Sequence, residues 1–133
     1  MRLVDTNVVI YAAGKAHPLQ DEARRVLDRI ADGALPSNID TEALQEILHV
    51  YDARKERGKG FATLDDLLVL FPNPIAITRE EIEAARDLMR SHPFLGARDA
   101  IHGAVVRTHD LEGIVSADKV FDRIRGVKRF GLG

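Results

Sequence analysis

The sequence contains no cysteine. That absence excludes disulfides, thiolate zinc sites and thiol nucleophiles together, and it suits a reducing compartment, so a cytoplasmic location is the expectation. Long apolar runs are missing too. The longest, residues 8–13, is far too short to cross a bilayer, and Asp5 falls where a signal peptide would need its apolar region. Neither export nor a membrane role is expected. A dominant charge sign is also lacking, since the net charge of −2 over 133 residues offers no overall pull on nucleic acid. There is no glycine-rich phosphate loop, because Gly58-Lys59-Gly60 lacks the rest of a P-loop. No serine triad is supported. No two histidines have a compact ligand spacing: His102 and His109 lie seven apart, His17 precedes a proline, and surface roles are expected for all five.

What is present is arginine and well-placed acid. Fourteen of the nineteen basic residues are arginine, the side chain best suited to gripping phosphate. The C-terminal stretch 119–133 carries Lys119, Arg123, Arg125, Lys128 and Arg129 against Asp122 alone, so it reads either as a basic patch or as a solvated face.

Residues 2–4 read as a strand ending at Asp5, with a helix over 7–13 behind it, closed by Gly14. Ala23, Val26, Leu27, Ile30 and Ala31 recur at helical spacing up to Gly33. After an extended piece at 35–39, Asp40 caps a helix running to about residue 57, with Ile39 and Leu44 in staple positions. Gly58 to Gly60 reads as punctuation. A short helix carrying Leu64, Leu67, Leu68 and Phe71 stops at Pro72, and Pro74 starts a strand over 75–77. Thr78 and Glu81 form a capping box for a helix ending near His92. A loop through Gly96 brings Asp99 to the start of a helix over 100–108; strands over 113–116 and 127–130 follow. Strands separated by helices imply a single α/β domain, residues 1–133, with a mainly parallel sheet covered on both faces.

Sites in such sheets lie at the carboxyl ends of the strands, where Asp5 and Asp118 fall on one edge. Asp99 opens a helix. Glu46 shares a partly apolar stripe with Ala43, Val50 and Ala53, where an acid needs a partner. If the four converge, their mutual repulsion calls for a divalent cation, Mg2+ or Mn2+, which can orient a water, lower its pKa and stabilise charge on a phosphodiester. Taken singly, each acid has a plainer reading. Asp99 and Asp118 cap helical turns, Asp5 sits in a turn, and Glu46 pairs with an arginine. Glu42 is a weaker rival to Glu46, because a first-turn acid is explained by the helix dipole.

Val4-Asp5-Thr6-Asn7, Leu44-Gln45-Glu46-Ile47-Leu48, Arg98-Asp99-Ala100-Ile101-His102 and Val115-Ser116-Ala117-Asp118-Lys119, followed by Phe121-Asp122, together resemble the PIN domain, and within it the VapC-type toxin ribonucleases. The resemblance covers essentially the whole chain. It implies a three-layer α/β/α fold, a metal-dependent endoribonuclease acting on RNA, a homodimer and a cognate antitoxin. It places Asp5, Glu46, Asp99 and Asp118 as metal ligands, with Thr6, Asn7, Ser116 and Asp122 in support. Arg123, Arg125 and Arg129 are candidates for holding RNA phosphates. Other readings stay open: a PIN-domain RNA-processing nuclease, a Mg2+-dependent aspartate phosphoryl-transfer domain, or a non-catalytic RNA-binding module.

Overall fold

The computed structural model describes all of residues 1–133. Strand β1 (Arg2–Val4) leads through Asp5 into α1 (Thr6–Ala13). There follow α2 (Gln20–Ala31), β2 (Ser37–Asn38), α3 (Thr41–Ala53), α4 (Arg57–Leu70), α5 (Arg79–Ser91), α6 (Ala97–Thr108), β3 (Ile114–Val115), a 3-10 turn at Lys119–Arg123 and β4 (Arg129–Phe130). The four strands pair in the order β2-β1-β3-β4, every pair parallel.

Alternation along the short strands divides the core in two. Val4 and Val115 point to one face and pack with apolar residues of α1 to α4. Leu3 and Ile114 point to the other and pack with α5, α6 and the residues around the 3-10 turn. Helices therefore cover both faces, and the three-layer expectation holds. A parallel sheet so enclosed leaves its strand ends as the place where polar groups can gather.

Three local expectations need correction. The helix expected to run to residue 57 ends at Ala53, where Lys55 takes a left-handed conformation (φ 57°) and the Glu56 N–H closes onto the Tyr51 carbonyl at 2.8 Å. Residues 58–60 are not punctuation but lie inside α4. Gly60 is there for contact: a Cβ on it would sit 2.7 Å from Cβ of the buried Tyr51, so its bareness lets α4 close on α3. The strand expected at 75–77 supplies one parallel bridge, Ile75 to Asp40, because Pro72 and Pro74 remove donors from this edge. The Thr78–Glu81 capping box is formed as expected.

The two glycines of α4 thus make opposite predictions. Gly60→Ala forces the Tyr51 contact apart, and an overpacking cost of about 1–3 kcal/mol exceeds the ~1 kcal/mol of helix propensity gained. Gly58→Ala meets nothing within 4 Å and is expected to stabilise by up to ~1 kcal/mol. Urea unfolding of the two variants checks the sign of each.

Candidate active site

Asp5 sits at the carboxyl end of β1, its N–H bonded to the Val115 carbonyl of the neighbouring β3 at 3.0 Å. That pairing brings Ser116 alongside. The Ser116 hydroxyl donates to Asp5 Oδ2 at 2.6 Å and accepts the Asp118 N–H at 2.9 Å; the Asn7 amide approaches it at 3.4 Å. One buried hydroxyl thereby fixes the carboxylate of β1 to the loop that carries Asp118. Asp118 also caps the 3-10 turn, accepting the Val120 N–H at 2.9 Å, so its plainer reading is true as well.

Helix α6 delivers Asp99 in its first turn, and α3 delivers Glu46. Glu46 accepts a hydrogen bond from Arg98 at 2.5 Å, the arginine pairing also foreseen for it. The four acids feel one another through space. Asp99 is pushed up to about 6, first by burial and then by the negative charges of Asp5 and Asp118; His102 opposes this, and Glu46 adds a smaller push upward. Burial likewise raises Asp5, although His102 and the Ser116 hydroxyl oppose it. Glu42 is raised by burial too, beside Asp40 and Glu46, so its carboxyl faces the same cluster and the helix dipole is not its whole explanation.

The strongest feature was not expected. His102 is buried, not at the surface: its Nδ1 lies 2.7 Å from Asp40 Oδ2, and its Nε2 lies 3.8 Å from Asp5 Oδ1. Asp40 is fully buried, caps α3 through the Ala43 N–H at 3.0 Å, and gives its second oxygen to the imidazole. Burial works to lower the His102 pKa, but the Asp40 hydrogen bond and the charges of Asp40, Asp5 and Glu46 override it and raise it to about 9. The raised pKa favours the imidazolium, a positive charge that joins the Arg98 guanidinium beside these acids.

As they stand, no three of these acids and histidines close on one point at metal-ligand spacing. The donor set nevertheless fits a hard cation. All four acids offer oxygen, the ligand that Mg2+ and Mn2+ prefer, and Thr6 Oγ1 and Asn7 Oδ1 are buried beside Asp5 without any partner. Thr6 supports Asp5 through its backbone N–H. Asp122 grips Arg129 with both oxygens, at 3.0 and 3.1 Å, and Arg129 also donates to the Ser116 carbonyl at 3.1 Å. Arg129 is thus engaged within the molecule. Arg123 lies over the Phe94 ring at 3.8 Å and Arg125 is exposed.

The chain as a whole matches known proteins. The PIN domain family model matches residues 2–127. The chain is 37% identical over 129 residues to the VapC ribonuclease Mb1869c of Mycobacterium bovis, an alignment covering 97% of this chain and 98% of that one. In fold it resembles VapBC2 of Rickettsia felis bound to a promoter DNA fragment, with a TM-score of 0.78, 19% identity and coverage of 98% and 97% of the two chains. It also resembles a toxin-antitoxin complex from Klebsiella pneumoniae, with a TM-score of 0.67, 23% identity and coverage of 96% of each chain. A family match over nearly the whole length, joined to strand-end acids on a parallel sheet, establishes that the chain belongs to the PIN domain family.

Proposed function

We propose that this chain is a metal-dependent endoribonuclease and the toxin of a toxin-antitoxin pair. The observation that carries the reading is that Asp5, Asp118 and Glu46, from β1, the loop after β3 and α3, all add their charge to burial in raising Asp99 of α6 to about 6. The 37% identical relative that is a VapC ribonuclease supports RNA as the substrate. These four acids are the proposed metal ligands, and Asp5 is the one whose direction is fixed, by Ser116 on one oxygen and His102 near the other. The chemistry that a bound divalent cation supplies here is activation of a water and neutralisation of charge on the phosphodiester. Arg123 and Arg125 are exposed and proposed to hold RNA phosphates; Arg129 contributes mainly by holding Asp122 and the Ser116 carbonyl.

Arg98 indicates how an antitoxin could silence the site. A partner's arginine entering the cluster would satisfy these carboxylates as Arg98 satisfies Glu46. A homodimer is the proposed assembly, and the exposed Phe61, Leu68 and Val69 of α4 are apolar surface that such a contact would cover.

Single-stranded RNA incubated with the protein and Mg2+ is expected to be cut internally, not at all in EDTA, and again when excess Mg2+ or Mn2+ is returned. Cleavage indifferent to EDTA would contradict the metal, and a protein that never cuts RNA and never arrests growth would contradict the enzyme. Growth arrest relieved by co-expressing the adjoining reading frame is the result expected for the toxin.

A further inference from the structure

Helices α1 and α3 both begin at the acidic edge of the sheet, after Asp5 and Asp40, and they pack against each other. They therefore run side by side away from the acids. On α1, Asn7 and Tyr11 lie one turn apart and are both half-buried; on α3, Glu46 and Val50 are half-buried one turn apart, and Arg54 follows exposed at the helix end. Half-buried residues at this spacing on adjacent helices form the walls of a surface groove. With 1.5 Å of rise per residue, Tyr11 stands roughly 6 Å beyond Asn7, and Arg54 roughly 12 Å beyond Glu46.

At that distance lies a cavity of about 530 Å³, lined by Tyr11, Gly14, Lys15, His17, Arg54 and Glu56 among others. The Tyr11 and His17 rings stack at 4.0 Å, tilted by 11°. His17 Nδ1 accepts the Leu19 N–H at 3.0 Å, which fixes the ring while leaving the residue exposed. Neither Lys15 nor Arg54 has an acidic partner within ion-pair distance. A fixed aromatic pair, half-buried at Tyr11 and exposed at His17, flanked by cations without acidic partners is what an unstacked base and its phosphate require. An aromatic pair serving only the core would be covered.

We infer that this cavity is a distal RNA subsite, taking one unpaired nucleotide of the substrate with its base against the Tyr11–His17 pair and its phosphate between Lys15 and Arg54. This rests on the nuclease reading above. Glu56, which also lines the cavity, sets a limit on how closely a phosphate can approach it.

The test uses the full chain carrying Asp5→Asn, so that RNA is bound without being cut, and measures fluorescence anisotropy of a labelled single-stranded RNA across a salt series. Adding Tyr11→Leu and His17→Ser is expected to weaken binding about tenfold, the scale of one base-aromatic stack. Adding Lys15→Gln and Arg54→Gln instead is expected to weaken binding and to reduce the slope of log affinity against log salt by about 0.7, for the one phosphate no longer neutralised. The second pair is exposed, with Arg54 lying over the Tyr51 ring at 5.8 Å, and the melting temperature of this variant serves as a control on folding. Unchanged affinity and slope in both variants, beside a wild type that cleaves RNA, would overturn the subsite and leave the nuclease intact. Loss of antitoxin binding with RNA binding unchanged would also overturn it, giving the cavity to a protein. A wild type that neither binds nor cleaves RNA would overturn both readings together.

Discussion

Replacing Asp99 by asparagine is expected to do two opposite things: raise the melting temperature of the protein in EDTA, and lower RNA cleavage more than about 100-fold, since loss even of groups behind metal ligands costs 10–100-fold. The stability effect follows from the charge at this position. Folding raises the Asp99 pKa from 3.8 to about 6, so the folded state favours the protonated acid. Its contribution to stability is then fully present below pH 3.8 and is lost as the pH rises through 6. At neutral pH the ionised side chain costs stability, and asparagine removes that cost. For a half-exposed group, solvent screening reduces the gain to about 1–2 kcal/mol, or several degrees in melting temperature. The gap between the two proteins should close as the pH is lowered toward 4, where wild-type Asp99 is itself neutral. Asp118 is a poorer choice for this test, because asparagine retains the cap on the Val120 N–H. A variant that melts lower than wild type in EDTA and still cuts RNA would make Asp99 a simple first-turn acid of α6, whose cap is Gly96 rather than the Asp99 expected from the sequence.

His102→Leu is expected to be the most destabilising of the site substitutions. It leaves Asp40 fully buried with only the Ala43 N–H as a partner, and breaking one side of a buried ion pair costs about 3–5 kcal/mol. Adding Asp40→Asn should recover part of that loss, since asparagine retains the cap without the charge. The same pair sets a pH window in the wild type. The folded-state pKa of His102 is raised from 6.5 to about 9, so its stabilisation is fully present below pH 6.5 and is lost as the pH rises through 9. Guanidinium unfolding from pH 6 to 10 should show this decline in the wild type and not in the double variant. A loss below about 1 kcal/mol in His102→Leu would mean that the pair's attraction and its desolvation already cancel.

Much of the site could be read from the sequence because its acids sit at the ends of elements that apolar patterning marks. Asp5 and Asp118 follow strands, and Asp99 opens a helix, so the parallel arrangement was enough to put them on one edge. The Asp40–His102 pair was hidden for a different reason. Its members stand 62 residues apart, each has a sufficient local account, and only their contact cancels the cost of burying them. One signal did point inward: around His102, α6 is apolar or small at Ala100, Gly103, Ala104, Val105 and Val106, and a histidine in a helix without a polar face has nowhere to go but the core. Gly60 misled in the same way. A glycine that reads as a break on local grounds can also mark the place where two helices touch, and only Tyr51 tells them apart.

The most direct test of the central claim counts metal rather than cleavage. Mn2+ titrated into the protein and followed by electron paramagnetic resonance at neutral pH should bind saturably to the wild type, more weakly to Asp5→Asn, Glu46→Gln, Asp99→Asn and Asp118→Asn singly, and not at all to the variant carrying all four. Mn2+ binding of the same stoichiometry and affinity in the fourfold variant would show that these acids do not form the metal site.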